Sequence, residues 1–540
     1  KLTSLSADQI QHAITELVQL GEVAKLRGGR IGLIDKLNLV HGKIILRRDG
    51  ALIRTDDGVE LGLANRHAQA YFEGDRVVAR EGERMLHGRP EAIVTEVLVR
   101  AYSQLSGVYR QAQNQAPQLI LDNKKVTQAF FIQSDSAENT AKDGDHIVCS
   151  ITRYPTAEHS GEVAIIENLG QNDSPWLQTE LAIRRHNLPS EWPAELVAQA
   201  EQLPAPSETD CKHRVDLREL PLMTIDGASA RDFDDAVFAC RKPKGGWRLW
   251  VAIADVSHYV PMESPLDLEA FNRSTSVYFP HRVVPMLPEQ LSNELCSLKP
   301  NVDRLSLVCE MSISASGKIS TFVFYEAIIR SHARLTYTQV GRFLSGEEAA
   351  EPSSDPLMQP VSGLDASITE GILDLYDLYQ VLFAIRRERG ALEFGTTETE
   401  MSFDDEGHIK AVVPVFRNDA HRLIEEMMLA ANVCAAKVLR KHDMPALYRN
   451  HEPPTADKVT DLVSALQSFG AKPKFSGEPK PQDYLQFLER IADRADSQIL
   501  QTIVLRSMNQ ARYESDCKGH FGLAYQAYTH FTSPIRRYAD

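Results

Sequence analysis

Apolar positions recur at helical spacing once near the start of the chain, then give way to short alternating runs. Ile10, Ala13, Ile14, Leu17 and Val18 mark one face of a helix, with Ser6 as its N-cap and Gly21 as a natural stop. Residues 22–26 and 30–33 read as two short strands around Gly28-Gly29, so residues 1–36 are predicted to be a helix followed by a two-stranded wing. From 37 to 98 the pattern is that of a small barrel. Residues 41–45 open it, 53–55 and 59–61 pair around Asp57-Gly58, and 74–79 return. Residues 104–168 repeat the plan: Gly144-Asp145-His146-Ile147-Val148 echoes Gly74-Asp75-Arg76-Val77-Val78, and Ile165 closes the second copy much as Val94 closes the first. Residues 169–215 form a linker broken by Pro175, Pro189, Pro193, Pro204 and Pro206, with short helices such as 192–202 between them. The largest piece, 216–540, mixes strand-like runs with a long helix over 419–442, whose apolar face runs Leu423, Met427, Ala430, Ala431, Cys434 and Val438. The predicted class is a multidomain α+β protein with a large mixed α/β module at its end.

Composition agrees with several domains. A chain of 540 residues is too long for one core, and at 43% hydrophobic it can fill several. It contains no run of about eighteen apolar residues, which argues against a membrane span. It opens Lys1-Leu2-Thr3, with no apolar signal region and no initiator Met, so the natural chain is expected to begin earlier. Seven cysteines lie scattered with no Cys-x-x-Cys pair, the usage of a reducing, cytoplasmic compartment. The net charge of −15 weighs against a non-specific polyanion binder. A channel, however, needs only a local basic lining, for which Arg330, Arg334, Arg506, Arg536 and Arg537 stand in apolar or motif-bearing segments.

The densest chemistry is TIDGASARDFDDA at 224–236. Asp226, Asp232, Asp234 and Asp235 fall within ten positions, with only Arg231 to balance them. Apolar residues precede them (Leu220, Leu222, Met223, Ile225) and follow them (Ala236 to Ala239), so the acids repel one another where unpaired charge is costly. A solvated turn is the ordinary reading of an Asp-rich stretch. The alternative is a hard divalent ion, Mg²⁺ before Mn²⁺, sharing its shell with a phosphate. An EF-hand order of acids is absent. Gly245-Gly246 followed by the large and β-branched run 248–256 predicts a hairpin-like return that would hold the acids against a rigid sheet. In an extended segment Asp232 and Asp234 would point to one side and Asp235 to the other. Two ions about 3.5–4 Å apart would activate water, neutralise the transition state and stabilise the leaving oxygen of a phosphodiester. Asp226 and Asp232 are then the expected metal holders and Asp234 the residue on which turnover most depends.

Four long blocks, TIDGASARDFDDAV, WRLWVAIADVSHYV, TSVYFPHRVVPMLPEQLSNELCSL and AYTHFTSPIRRYAD, resemble the signature blocks of the RNase II/RNase R (RNB) family, and they occur in family order from about residue 216 to the end. The wording WRLWVAIADVSHYV and the wing at the start resemble the RNase R branch. The resemblance implies a processive, Mg²⁺-dependent 3′→5′ exoribonuclease releasing nucleoside 5′-monophosphates. For that branch it implies action on single-stranded 3′ ends and on structured RNA with an overhang, in RNA turnover and quality control. It also makes 1–36 the end of a winged helix-turn-helix, and 37–98 and 104–168 cold-shock, OB-type barrels. Such barrels bind single strands through a basic groove and exposed aromatics. Tyr71, Phe72, Tyr102, Tyr109, Phe130 and Phe131 are sparse for that task, so guidance of RNA is expected rather than tight independent binding. The family continues past the last block with further helices and an S1 barrel, so residues 216–540 are expected to be an incomplete catalytic module.

Residue by residue, Asp226, Asp232, Asp234 and Asp235 match the acids of the motif. The fourth, Asp235, would position a second metal or the 3′-terminal hydroxyl, with an inner salt bridge as the alternative. Arg536 is similar to the arginine that grips the scissile phosphate. Ala539 stands where the family often has Pro or Gly. Tyr278 resembles the tyrosine that closes the stack of terminal bases, Tyr337 a second contact near the product end, and Phe394 the other face of the stack. Core packing is the alternative for all three. Glu426, more than Glu425, would bond a ribose 2′-hydroxyl, unless both glutamates only compensate the helix N-terminus. Three rivals stand beside this reading: an RNase II-type enzyme limited to unstructured RNA, a binding protein that kept the fold without turnover, and a DNA-directed two-metal nuclease.

Overall fold

The computed structural model describes residues 31–37, 39–47, 50–86, 88–112, 116–123, 126–133, 141–171, 175–347, 360–395, 398–404, 408–475 and 478–540, together with 10, 13–14, 17–18 and 23–25. They fall into two compact units, 1–189 with 403–409, and 190–402 with 410–540.

In the first unit the two short strands expected within 22–26 and 30–33 are present. Val23–Lys25 pairs antiparallel with Ile31–Leu33. Most of the helix expected before them, with its Ser6 cap and Gly21 stop, lies outside the described residues. Both barrels are present and closed, with five strands each. The repeated Gly-Asp is a turn device. Gly74 and Gly144 have φ of +94° and +96°, which glycine adopts without strain. The buried carboxylate of Asp75 accepts N–H bonds from Phe72 and Ala101, and that of Asp145 accepts one from Lys142. The barrel aromatics are largely structural: Phe72, Tyr109 and Phe130 are buried, and Phe72 packs in the core of the second barrel rather than its own. The predicted linker is not one element. Its Pro175–Arg185 helix belongs to the first unit, and its Ala194–Glu201 helix to the second.

The second unit is built on a seven-stranded mixed sheet. Its order is Val215–Asp216, Ile319–Arg330, Asp303–Ile313, Trp247–Ala254, Asp235–Arg241, Met223–Asp226, Ala333–Thr336. The predicted hairpin is there: Asp235–Arg241 pairs antiparallel with Trp247–Ala254 across a turn where Gly245 and Gly246 both have positive φ. Both faces of the sheet are covered, which explains why Trp247–Ala254 is almost wholly buried instead of alternating. The Ala366–Arg389 and Asp419–Lys441 helices supply much of the core on one face; Pro265–Arg273 and the Gln290–Leu295 turn supply the other. A separate cluster joins the helices Ala456–Ser468, Pro481–Ile491 and Ser497–Ser507.

Several arginines proposed as a basic lining are structural. Arg330 pairs with Asp303 at 2.7 Å and Arg537 with Asp540 at 2.7 Å. Arg334 donates to the carbonyls of Ala228 and Ala230 at 2.7 and 3.2 Å.

Candidate active site

Strand register gathers the acids. Met223 faces Val237 in an antiparallel pair, so Asp226, three residues on, and Asp235, two residues back, emerge at the same end of the sheet. On its other side Asp226 pairs in parallel with Thr336, which sets Tyr337 at that end too. The loop between the strands is pinned. The buried Ser297 hydroxyl donates to the Arg231 carbonyl at 2.7 Å and accepts the Phe233 N–H at 3.0 Å, and Arg334 holds the loop from the opposite flank.

The strand begins only at Asp235 and residues 231–234 are irregular, so the extended segment assumed for the alternation is not present there; Asp235 raises Asp226 and is itself raised by Asp234. Asp234 is 4% exposed. Its Oδ1 accepts the Ile535 N–H at 2.8 Å, and its Oδ2 lies 3.5 Å from Arg536 Nε. Burial pushes its carboxyl up to about 8, against the pull of Ile535 and Arg536. Asp226 is likewise pushed up to about 8 by burial and then by Asp235 and Asp232, and Asp235 to about 7 by burial and Asp234. Burial opposes the charge of Arg536, yet Asp234, Tyr278, Asp235 and Asp232 together raise its pKa.

Tyr278 is half exposed and donates its hydroxyl to Asp232 at 2.8 Å. The Tyr337 phenol is pushed up by burial and by Asp226 and Asp235, and its ring stacks on His421 with centroids 4.0 Å apart. The sequence thus singled out seven residues that meet here: the four aspartates, Arg536, Tyr278 and Tyr337. Phe394 and Glu426 belong to a second group, around Arg386. Arg386 bonds Glu425 and the buried Glu426 at 2.8 and 2.7 Å, and it shares a cavity of about 860 Å³ with Phe394. Burial raises Glu426, whereas Arg386 and Arg417 outweigh burial at Glu425 and lower it. Ser297, Arg334 and Arg386 carry no motif of their own; Ser297 alone falls inside one of the quoted blocks.

The donor set suits a hard cation. Asp226 Oδ2 is buried without a hydrogen-bond partner, and three neighbouring carboxyls resist ionisation. That is the state expected of oxygen ligands whose charge is balanced by an ion. Among the described residues, no three such side chains already converge as a cage. Asp232 is engaged by Tyr278, and Asp234 by Ile535 and Arg536.

Residues 214–540 match the family model described as the RNB domain, and 119–193 match that of the cold shock domain. The chain belongs to the RNB family, in its ribonuclease R branch. It is 42% identical to ribonuclease R of Vibrio parahaemolyticus and of Escherichia coli, with 96% of this chain aligned to 61% and 63% of theirs. Against ribonuclease R of Thermotoga maritima the identity is 34%, over 98% of this chain and 74% of the relative. The chain therefore spans about three fifths of the length of the first two relatives. Among solved RNB structures, Mycoplasma genitalium RNase R in complex with ribose-methylated single-stranded RNA superimposes with a TM-score of 0.82 at 29% identity, covering 93% of this chain and 78% of that one. Yeast Ssd1, a pseudonuclease, shares the fold at 19% identity and a TM-score of 0.68, covering 98% of this chain and 69% of that one.

Proposed function

We propose that this chain carries the catalytic centre of a processive 3′→5′ exoribonuclease of the ribonuclease R type. It hydrolyses single-stranded RNA, and structured RNA with a 3′ overhang, to nucleoside 5′-monophosphates, in the cytoplasm, in RNA turnover and quality control. The observation that carries this reading is the meeting of four aspartates and Arg536 at one sheet end. Mycoplasma genitalium RNase R has been captured with single-stranded and with double-stranded RNA, which supports the substrate class. All five residues are intact, which separates this chain from a binding protein that kept only the fold.

Asp226, Asp232, Asp234 and Asp235 would hold Mg²⁺, in a two-ion arrangement or with Mn²⁺ in its place. When bound, the metal supplies Lewis-acid polarisation of the phosphate and an easily deprotonated water. The remaining work falls to the protein. Arg536, held 3.5 Å from Asp234, turns a planar fork of donors toward the scissile phosphate and offsets charge that develops on its oxygens. The Ile535 N–H fixes the Asp234 carboxylate, so its second oxygen keeps one orientation. Tyr278 offers a half-exposed ring for the terminal bases while its hydroxyl steadies Asp232. Tyr337 faces the product end, Phe394 takes the other face of the stack, and Glu426, oriented by Arg386, accepts a ribose 2′-hydroxyl and so favours RNA over DNA. The wing at 23–33 belongs to a winged helix that contacts nucleic acid or protein.

Digestion of 5′-labelled and 3′-labelled RNA tests the reading. The 3′ label is expected to leave first as mononucleotide, with Mg²⁺ required and EDTA abolishing release. Early loss of the 5′ label, or equal rates in EDTA, refutes it. A matched DNA oligonucleotide is expected to resist.

A further inference from the structure

Tyr337 is gripped at the acid end of the sheet by two residues outside the four quoted blocks. Thr336 pairs in parallel with Asp226, so Tyr337 stands one residue beyond that register, where the charges of Asp226 and Asp235 reach its phenol. Tyr337 also opens the helix Tyr337–Ser345, whose N-cap is Thr336. The grip comes from the start of the Asp419–Lys441 helix. Asn418, the N-cap of that helix, donates its amide to the Tyr337 carbonyl at 2.8 Å. His421, three residues on, lays its ring on the Tyr337 ring, with centroids 4.0 Å apart and planes 19° from parallel. Gly341 makes room for the clamp: a Cβ there would fall 2.2 Å from the Asn418 amide nitrogen. Glycine is unfavourable inside a helix, so its place in Tyr337–Ser345 serves this close approach.

The hydrogen bonds fix the imidazole. With its amide nitrogen spent on Tyr337, Asn418 turns its oxygen to His421, where it accepts the backbone N–H at 3.3 Å and lies 2.7 Å from Nδ1. Nδ1 therefore carries the proton and donates; the Asn418 N–H, 3.3 Å from the same nitrogen, is the longer contact. Burial and then Arg417 lower the His421 pKa, against Glu398, so the ring is neutral at pH 7 when it stacks. One face of the Tyr337 ring is thereby covered, and the ring cannot swing away from the acids without losing the stack. We propose that His421 is a positioning residue for hydrolysis: stacked on Tyr337 and anchored through Asn418, it holds that ring in the one orientation that receives the terminal nucleotide over the aspartates. It acts through Tyr337 rather than on RNA. The proposal rests on the exoribonuclease reading above and deepens it by naming what fixes one of its contacts.

The test measures single-turnover release of a 3′ label, in Mg²⁺, from RNA bound to the 540-residue chain in excess. The rate constant of that release does not depend on how much of a variant is folded, whereas its amplitude does. His421→Ala is expected to lower the rate constant about tenfold with RNA affinity unchanged, and His421→Phe, which keeps a flat ring on Tyr337, to recover most of it. Tyr337→Ala is expected to lose about as much alone, and His421→Ala added to it nothing further, because both remove the same contact. A residue that merely stabilised the helix would shrink the amplitude and spare the rate constant. Asn418→Asp keeps an acceptor at the N-cap and removes the donor to the Tyr337 carbonyl; it should lower the rate constant as well, and it stays informative where His421→Ala fails to fold. A parent rate constant in His421→Ala, no recovery in His421→Phe, or a full further loss in the Tyr337→Ala background overturns the proposal alone. So does a parent rate constant in Asn418→Asp where His421→Ala is unfolded. No Mg²⁺-dependent release of the 3′ label by the parent overturns the nuclease reading and this proposal with it.

Discussion

Asp226→Asn isolates the tension on which the site is built. Asp226 ordinarily titrates near 3.8 and here is held up to about 8, first by burial and then by Asp235 and Asp232. A carboxyl with a raised native pKa keeps a proton in the folded state that the unfolded chain has already released. Its contribution to stability is therefore undiminished below 3.8 and falls as pH rises toward 8. At pH 7 the interval above 3.8 is worth roughly 4 kcal/mol against the native state. Asparagine has nearly the same shape and no charge to lose. In the metal-free protein the substitution is thus expected to stabilise at neutral pH, by up to about 4 kcal/mol, and to be nearly neutral around pH 4. It should also ease the titration of Asp235, which Asp226 repels. Urea unfolding in EDTA at a series of pH values measures this directly. Added Mg²⁺ reverses the ranking: at about 100-fold over its Kd the parent gains about 2.7 kcal/mol, with more gained at pH 8 than at pH 6 because binding expels protons, while Asp226→Asn gains less. A variant less stable than the parent at neutral pH without metal would refute the reasoning, because Asp226 would then be held by the protein and not strained by it.

Asp234→Asn keeps an oxygen for the Ile535 N–H, so the fold and RNA binding should survive while single-turnover hydrolysis falls by at least about 10²-fold. Arg536→Lys retains charge but not the planar fork; kcat should drop about 10²-fold or more with little change in RNA affinity, read from burst and steady-state kinetics. Tyr278→Phe removes the hydrogen bond to Asp232 and leaves the ring, whereas Tyr278→Ala also forfeits stacking worth about 1–3 kcal/mol; only the second should lengthen the limit oligonucleotide on a sequencing gel. Ser297→Ala breaks both bonds that pin residues 231–233 and should cost about 1–3 kcal/mol in urea unfolding, with a loss of Mg²⁺ affinity by calorimetry.

The parts of this site that were legible in the sequence share one property: their signal is local. Four acids within ten positions announce an electrostatic problem wherever they fold, and Gly245-Gly246 before a run of large apolar residues announces the hairpin that carries one of them. The repeated Gly-Asp exposed the two barrels because both copies need the same tight turn and the same buried carboxylate to lock it. What was not legible depends on partners remote in the chain. Whether Asp235 points with or against Asp234 turns on where the strand begins, and that is decided by pairing with Trp247–Ala254 and by Ser297 and Arg334 gripping the loop. Arg334 read as part of a basic lining, yet one of its terminal nitrogens is taken up by two carbonyls of the acid loop. Phe394 and Glu426 read as RNA contacts, and the structure sets both beside Arg386, which carries no motif.

The same distance explains how so much like charge is tolerated. Asp234 and the Ile535 N–H that it accepts are 301 residues apart in sequence, and Arg536 arrives with that contact. The segment is held from outside the acid cluster: the Arg536 carbonyl accepts from the Ser276 N–H and the Thr275 hydroxyl, each at 3.0 Å, and the Tyr538 N–H reaches the Ser274 carbonyl. Those residues lead directly into Tyr278, whose hydroxyl returns to Asp232. One docking event therefore brings the only nearby guanidinium that touches Asp234, a backbone donor and the stacking tyrosine to the acids together, among the described residues. The site's electrostatics consequently make this long-range closure favourable, because each aspartate that ionises strengthens the attraction for the arginine that completes it.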